Sequence, residues 1–199
     1  MSRLILLRHG QSVWNVSHKI AGLIDVDLSG QGRLQARIAA KQLHDIKIDR
    51  IFTSNLKRAV QTGEEIQKAI GRSIPIRQNV ALNERNFGTY SGGLKSQLKS
   101  DFGLAKYEAS LKLWNTSPPD GETLESVSIR TVSFLHGVLE PALLQDESIL
   151  VISHHHTLKT LVQYIERIDV AAIGEIQVAN AVPIIYDFDT QTGSYTLVT

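Results

Sequence analysis

The chain has no cysteine and only one methionine among its 199 residues. The lack of cysteine excludes disulfide bonds, thiolate nucleophiles and thiolate metal ligands, and it suits the reducing cytoplasm, where we expect the protein to reside. Proline is scarce, with five residues, and aromatic side chains make up 6% of the chain. The apolar start is too short to cross a bilayer and lacks the pattern of a signal peptide, so we expect no membrane partner.

An excess of charge of one sign is also missing. Lysine and arginine number 21 against 20 aspartates and glutamates, for a formal net charge of +1. A chain with almost no net charge is attracted only weakly to the phosphates of a nucleic-acid backbone, so we expect no nucleic-acid partner. The hydrophobic fraction of 42% is enough for one well-buried core in a chain of this length. We therefore predict a single domain over residues 1–199.

The first ten residues contain the strongest local signal. Residues 4–7 are four consecutive aliphatics, which predict a strand buried on both faces, and Gly10 permits a sharp turn directly after it. His9 therefore lies at the carboxyl end of a strand, where open α/β sheets bind ligands. A histidine there can attack phosphorus through a ring nitrogen while Arg8 holds the phosphoryl oxygens. The alternative is that Arg8 and His9 only mark the end of the strand.

The same pattern recurs twice. A short strand, Ile51-Phe52-Thr53, precedes a helix that carries Arg58 in its first turns, and a strand over 148–153 ends in His154-His155-His156 before another helix. Parallel strands bring these ends to one edge of a sheet. Arg58 can then bind an anion, although taken alone a solvent-exposed helix arginine is the more common case.

Other patterns outline the scaffold. Ser29 is predicted to cap a helix that ends near His44 and turns Leu34, Ile38 and Leu43 to the core. Thr123 caps a helix that runs up to Pro141, and its predicted inward positions are Leu124, Val127, Thr131, Phe134, Leu135 and Val138. An edge strand at 74–76 and two C-terminal strands, 182–189 and 194–198, complete the predicted sheet.

Two segments are expected to surround the strand ends. Ser12 and Asn15 follow the first strand and either complete a phosphate cradle with the backbone amides or, in the case of Ser12, cap a short helix. Residues 17–28 are predicted to form a loop across the mouth of the pocket. Glu84 lies near a glycine-rich stretch, where burial would favour the protonated form that can donate to a leaving alkoxide.

A lid and a possible metal site complete the predictions. The weakly amphipathic stretch from Lys95 to Trp114 is predicted to form a lid, within an insertion around 86–121 that Pro118-Pro119-Asp120-Gly121 ends. Three adjacent histidines rarely aim their rings at one ion, and no His-x-x-x-His pair or carboxylate at zinc spacing surrounds them. We therefore predict no metal site.

Four segments together resemble the histidine phosphatase superfamily, in the branch of the cofactor-dependent phosphoglycerate mutases. They are Leu7-Arg8-His9-Gly10-Gln11-Ser12 with Asn15, Ser54-Asn55-Leu56-Lys57-Arg58-Ala59, Leu82-Asn83-Glu84-Arg85, and Ser153-His154. The residues after Glu84 and the tail Val182-Pro183-Ile184-Ile185-Tyr186-Asp187 match the mutase branch in particular. The resemblance implies an α/β fold, a three-layer α/β/α sandwich with a mostly parallel central sheet and helices on both faces.

The resemblance also implies a role for each matching residue. His9 becomes phosphohistidine, and the N–H of its other ring nitrogen is directed at a backbone oxygen or a carboxylate. Glu84 acts as general acid and then as general base. The transferring group is surrounded by Arg8, Arg58 and a protonated His154. The substrate-binding residues implied are Gln11, Asn15, Gly22, Arg85, Lys95 and His155. The partner is a small phosphorylated metabolite, no cofactor is tightly bound, no metal is needed, and a homo-oligomer is compatible with the pattern.

The acceptor of the phosphoryl group decides between two activities. Interconversion of 3- and 2-phosphoglycerate, primed by 2,3-bisphosphoglycerate, is our first interpretation, because the Glu84 loop and the tail resemble mutases. A metal-independent phosphatase of small phosphomonoesters is the second, and a non-catalytic binder of phosphorylated ligands is the third.

Three departures from the mutase pattern favour the phosphatase. Asn115-Thr116 stands where mutases resemble one another in two arginines, and Ala21 and Leu23 flank Gly22 in place of threonine and tryptophan. His155-His156 replaces glycine and asparagine, and this pair either substitutes for the lost cations at acidic pH or packs against the helix. A lost bidentate arginine contact loosens binding by about ten- to a hundredfold.

Overall fold

The computed structural model of the protein describes residues 2–198, and its centre is a mixed sheet of six strands. Their bounds are β1 Ser2–Arg8, β2 Arg50–Thr53, β3 Ile76–Gln78, β4 Ile149–Ser153, β5 Pro183–Asp189 and β6 Ser194–Leu197. In the order β3-β2-β4-β1-β5-β6, the first four strands are parallel, β5 runs antiparallel to β1, and β6 runs antiparallel to β5. The mostly parallel sheet and the C-terminal strand pair are confirmed, and an edge strand is present, but it begins at Ile76, after Pro75, and not at the predicted residue 74.

Helices cover both faces of this sheet. They are α1 Val13–Val16, α2 Gly30–Gln42, α3 Lys57–Ile70, α4 Lys95–Phe102, α5 Leu104–Lys112, α6 Leu124–Phe134, α7 Glu140–Leu143 and α8 His155–Ile165. None of the helices within residues 2–198 is long and apolar enough to cross a membrane.

The four aliphatics of β1 show why two layers of helices are needed. Leu4 and Leu6 point into the core beneath α6 and α8, whereas Ile5 and Leu7 point into the core beneath α2 and α3, and all four are fully buried. A strand with apolar side chains on both faces is stable only when both faces are covered. The predicted three-layer α/β/α sandwich is confirmed.

The buried face of α2 differs from the predicted one. Leu43 is buried, but Leu34 and Ile38 are each 48% exposed, so their predicted inward orientation was wrong. The face toward the core consists of small residues, Gly32, Ala36, Ala39 and Ala40. Small side chains let α2 approach the sheet and α3 closely, and the larger aliphatics are left on the outer stripe of the helix.

The second scaffold helix passes Pro141 instead of ending there. A π-helical turn, Leu135–Leu139, follows α6, and the Glu140 amide donates to the carbonyl of Leu135. Proline has no N–H to donate, and the wider turn carries the chain past it into α7. The extra residue in the turn also shifts the inward stripe, so Leu139 is buried while Val138, which we predicted to face inward, is 37% exposed.

The segment 86–121 lies beside the loop 17–28 at the carboxyl edge of the sheet. It contains α4, α5 and a 3-10 turn, Gly88–Tyr90. Backbone hydrogen bonds join Ile20 to Gly92 and Gly93, and the Lys95 amide donates to the carbonyl of His18. A small apolar cluster holds the two segments together, made of Ile20, Phe87, Tyr90, Leu98 and Tyr107.

Candidate active site

The carboxyl ends of β1 and β4 place two histidines side by side. The strands are parallel, with Arg8 opposite Ser153, and the His9 amide donates to the Ser153 carbonyl over 2.9 Å. The rings of His9 and His154 are consequently 5.0 Å apart between centroids. Two sites about 145 residues apart in sequence thus meet at one edge of the sheet, as predicted.

A cavity of about 310 Å³ opens at this edge. Eight of the residues predicted for the site line it: Arg8, His9, Asn15, Gly22, Arg58, Glu84, Lys95 and His155. The rest of its wall is formed by Ser12, Lys19, Ile20, Ala21, Phe87, Tyr107, Leu111 and His156. Cations and apolar side chains therefore share the wall.

His9 has the hydrogen bonding of a neutral nucleophile. Its Nδ1 lies 2.6 Å from the carbonyl oxygen of Gly10, and because a carbonyl only accepts, Nδ1 carries the proton. Burial, together with the charges of Arg58 and Arg8, lowers the pKa of His9 well below 6.5, so Nε2 keeps its lone pair. The side-chain amide of Asn180 also donates to the His9 carbonyl, over 2.7 Å. The predicted hydrogen bond from a His9 ring nitrogen to a backbone oxygen is confirmed.

The two arginines on the cavity wall are held differently. Arg8 donates from Nη1 to the carbonyl of Val178, while its buried Nε has no hydrogen-bond partner within residues 2–198. Arg58 donates to the carbonyls of Gly22 and Ile24. Burial lowers the pKa of Arg58 to about 10, which still leaves it protonated at neutral pH. Both guanidinium groups therefore bring positive charge to the cavity wall that His9 shares.

His154 is neutral, which corrects the predicted protonated form. Its Nδ1 accepts from Nε of Arg58 over 3.3 Å, so Nδ1 has no proton, and Nε2 donates to Oγ of Ser54 over 2.7 Å. Burial and the charge of Arg58 hold the pKa of His154 well below 6.5. His154 is fully buried and lies behind His9, outside the cavity wall.

Glu84 is buried, yet the expectation that burial keeps it protonated was wrong. Oε1 accepts from the Arg85 amide over 2.9 Å, and Thr157 Oγ1 lies 3.4 Å from the same oxygen. Burial acts to raise the pKa of Glu84, but the opposing interactions with the His156 side chain and the Arg85 amide outweigh it and place that pKa well below 4.5. Donors that satisfy a carboxylate favour its ionised form.

Two predicted substrate-binding residues lie outside the cavity wall. The Gln11 side chain accepts from Oγ of Ser29, the residue that caps α2. Arg85 is fully buried and donates to the carbonyls of Glu122 and Thr116. Both side chains are therefore used to tie loops together. Arg85 in particular fastens the Glu84 loop to the end of the 86–121 segment.

Ser12 and Asn15 form a reciprocal cap at the start of α1. Ser12 Oγ accepts from the Asn15 amide, and Asn15 Oδ1 accepts from the Ser12 amide. The capping alternative for Ser12 is therefore confirmed, and both residues also line the cavity. The Asn15 side-chain NH₂ keeps its two donors, since only Oδ1 takes part in the cap.

The histidines after His154 are neither cations nor simple packing residues. Burial lowers the pKa of His155 to about 3 and also lowers that of His156, so they do not replace missing cations at moderately acidic pH. Both side chains line the cavity. The cations that do so besides the arginines are Lys95 and Lys19, whereas Lys106 and Lys112 are not among the lining residues.

Sequence analysis missed several residues of the site. Lys19 and Ile20 lie in the loop 17–28, and only the expectation that this loop crosses the pocket mouth pointed to them. Tyr107 and Leu111 come from α5, and Ser54 and Asn180 hold the two histidines. Within residues 2–198, no group of three or more His, Asp or Glu side chains is arranged to hold a metal ion.

Comparison with known proteins agrees with this geometry. The family model of the histidine phosphatase superfamily (branch 1) matches residues 4–199. The 2,3-bisphosphoglycerate-dependent phosphoglycerate mutase of Cytophaga hutchinsonii is 34% identical over 191 residues, which cover 96% of this chain and 90% of that protein. The mutase of the same name from Methanosarcina acetivorans is 32% identical, covering 94% and 92%.

Solved structures of similar fold include phosphatases. Bacillus stearothermophilus YhfR superimposes with a TM-score of 0.89 at 24% identity, covering 100% of this chain and 96% of that one. A mycobacterial glucosyl-3-phosphoglycerate phosphatase gives 0.87 at 24% identity, covering 100% and 98%. The α-ribazole phosphatase of Shigella flexneri gives 0.84 at 25% identity, covering 98% and 94%. With the family model matching nearly the whole sequence, this chain is an enzyme of the histidine phosphatase superfamily, branch 1.

Proposed function

We propose that the protein transfers a phosphoryl group from a small phosphomonoester through a phosphohistidine at His9. The observation that carries this proposal is the His9 hydrogen bond: Nδ1 donates to Gly10, and Nε2 is left with its lone pair beside two arginines. A neutral imidazole with a fixed tautomer is the form that attacks phosphorus. Arg8 and Arg58, which both line the cavity, supply the positive charge that the phosphoryl oxygens need.

The reaction has two half-reactions that share Glu84. In the first, a bond forms between His9 Nε2 and phosphorus, the bond from phosphorus to the leaving oxygen breaks, and Glu84 gives its proton to that oxygen. In the second, an acceptor oxygen attacks phosphorus, the bond to Nε2 breaks, and Glu84 takes the proton of the acceptor. The ionised Glu84 takes up this proton from solvent or from a monoanionic phosphate when the substrate binds, recovers it from the acceptor in the second half-reaction, and releases it with the product, so the protons balance over one turnover.

Substrate charge prepares Glu84 and His154 for the first half-reaction. The ionised Glu84 suits the second half-reaction, and a phosphoryl dianion bound nearby raises its pKa because like charges disfavour a second anion. The same dianion raises the pKa of His154, because a nearby negative charge favours imidazolium. We therefore propose that the protonated His154 implied by the family pattern is a property of the substrate complex.

For the acceptor, we propose first the second hydroxyl of a bound phosphoglycerate, which makes the enzyme a mutase primed by 2,3-bisphosphoglycerate. Support comes from Lys95 and Lys19, two cations on the cavity wall that can hold a substrate carboxylate. It also comes from the mutase-named relatives, which cover most of this chain.

Water is the second candidate acceptor, and it would make the enzyme a phosphatase of small phosphomonoesters. Arg85 donates to two backbone carbonyls and does not line the cavity. One of the two cations predicted to bind the substrate carboxylate is therefore not available for that role. Phe87, Tyr107 and Leu111 add apolar surface to the wall, which favours substrates with an apolar part.

Incubation with 2,3-bisphosphoglycerate and 3-phosphoglycerate separates the alternatives. Acid-labile, base-stable phosphate on His9 together with formation of 2-phosphoglycerate supports the mutase. The same label followed by release of inorganic phosphate supports the phosphatase. Binding of the compound without any label on the protein would overturn the proposed transfer and leave a non-catalytic binder. H44N is the matched control for variants of His9 and should carry the same label as the wild type, since His44 is exposed and lies beyond the carboxyl end of α2.

A further inference from the structure

The two carboxylate oxygens of Glu84 have unequal surroundings. Oε1 receives the Arg85 amide at 2.9 Å and has Thr157 Oγ1 at 3.4 Å. Oε2 has neither of these donors. Nδ1 of His156 lies 3.8 Å from it. Among residues 2–198, His156 is therefore the side chain whose N–H can support Oε2.

The ring of His156 is fixed by packing against two neighbouring rings. Its ring packs edge-to-face on Phe87 and on His155, with centroids 5.1 and 5.0 Å apart. Nδ1 is buried and has no hydrogen-bond partner within the described residues 2–198. A buried ring nitrogen without a partner is costly, and a proton on Nδ1 directed at a carboxylate lowers that cost. The ring geometry and the unpartnered atom thus point to the same neighbour.

We propose that His156 is a positioning residue for Glu84, whose Nδ1–H faces Oε2 and keeps the carboxyl group ionised. The inference rests on the proposed phosphoryl transfer and adds a residue to it. With His156 in place, Glu84 is ready to take a proton from the oxygen that attacks phosphohistidine. It is correspondingly a weaker donor to a leaving oxygen until the substrate dianion is bound.

Other charged and titratable groups also face this pair. They are Arg8, His9, Arg58, Arg85, His154, His155 and Lys159. All of them are present in both variants of position 156 used below. A difference between those two variants therefore reports the loss of the side-chain N–H group.

The test compares H156L, which removes the donor, with H156N, whose side-chain amide replaces Nδ1–H at a similar distance from the backbone. The Glu84 carboxyl is titrated by ¹³C NMR in the protein without substrate, and its signal is assigned by its loss in E84Q. We expect H156L to raise the pKa of Glu84 by about one unit, because the N–H group that faces the charged form is lost. We expect H156N to restore most of the difference.

Kinetics give the second measurement. Phosphoenzyme prepared with p-nitrophenyl phosphate is isolated, and its decay in water is followed against pH. In H156L, we expect the acid limb of the decay to move up by about one pH unit, as the Glu84 base is lost earlier on acidification. The burst of p-nitrophenol, which measures phosphoenzyme formation from a leaving group that needs little protonation, should change less than about twofold in rate. A general packing defect would lower both rates at every pH.

Two results would overturn the inference. One is an unchanged Glu84 titration in H156L, and the other is an equal shift in H156L and H156N, which would trace the effect to packing and not to the N–H group. Failure of the wild-type protein to form phosphoenzyme would reject the proposed function instead. The NMR titration would still decide the role of His156 in that case.

Discussion

The two histidines at the strand ends share a local setting and differ in their partners. His9 follows β1, His154 follows β4, and both are buried beside Arg58 at one edge of the sheet. His9 uses one ring nitrogen for a backbone carbonyl and keeps the other free. His154 has both nitrogens engaged, one with Ser54 and one with Arg58. Position in the fold makes them neighbours, and hydrogen bonding divides their roles into nucleophile and support.

The largest effect expected from this comparison is on phosphoenzyme formation by H9A. Without Nε2, no bond to phosphorus can form, and labelling from 2,3-bisphosphoglycerate should fall by at least about 10³-fold. The measurement is acid-labile phosphate on the protein, with circular dichroism as the control for folding. Label retained in H9A would remove His9 from the nucleophile role.

A smaller loss is expected from H154A. Arg58 then lacks one of the partners that hold its side chain at the cavity wall, so the phosphoryl oxygens are bound less well and labelling should slow by about 10²-fold but still occur. Rapid-quench labelling measures the rate. The S54A variant, which removes only the far partner of His154, should have a milder effect. Complete loss of label in H154A, equal to that in H9A, would abolish the distinction between the two histidines.

The turn after His9 also differs from the turn after His154, since it depends on close backbone packing. A Cβ atom at Gly10 would lie 2.3 Å from the carbonyl oxygen of Gly32 in α2. We expect G10A to destabilise the protein by about 1–3 kcal/mol, because backbone must shift to admit the methyl group. Urea denaturation measures the change. The matched control is G30A, where no atom lies within 4 Å of the added Cβ and no loss of stability is expected.

The smallest expected effect is on the pH dependence of folding stability, which the buried histidines of the site cause. Burial lowers the pKa of His9, His154, His155 and His156 below 6.5, so these rings stay neutral in the folded protein. The unfolded chain takes up protons as pH falls below about 6.5, and the folded chain does not, so stability is lost on acidification. Each such histidine costs up to about 1.4 kcal/mol per pH unit in this range.

The pH effect is measured by urea unfolding at pH 7.5 and pH 5.5. The H155N variant should reduce the loss of stability by about 1 kcal/mol, because the pKa of His155 lies near 3 in the folded protein. A drop in stability that is identical in H155N and the wild type would contradict the assignment.

Most of the fold could be predicted because its signals are local. The four aliphatics of β1 require two covered faces, and Ser29 and Thr123 cap the helices that they were expected to cap. The predictions of which side chains face the core were wrong where close helix packing favoured small residues or where the helix changed its winding. Alanines, not Leu34 and Ile38, face the core from α2, and the π turn before Pro141 exposes Val138. A hydrophobic pattern does not reveal how closely a neighbouring helix approaches.

The sequence by itself determined which reactive groups the protein has and that they follow strands, because strand ends, caps and glycine turns are encoded over a few residues. It thereby determined that His9, Arg8, Arg58 and Glu84 gather at one edge of the sheet. Only the tertiary structure decided their protonation and use: Glu84 ionised, His154 neutral, and Arg85 and Gln11 tied to loops. Proton affinity depends on burial and on donors that arrive from distant parts of the chain, and these exist only once the chain has folded.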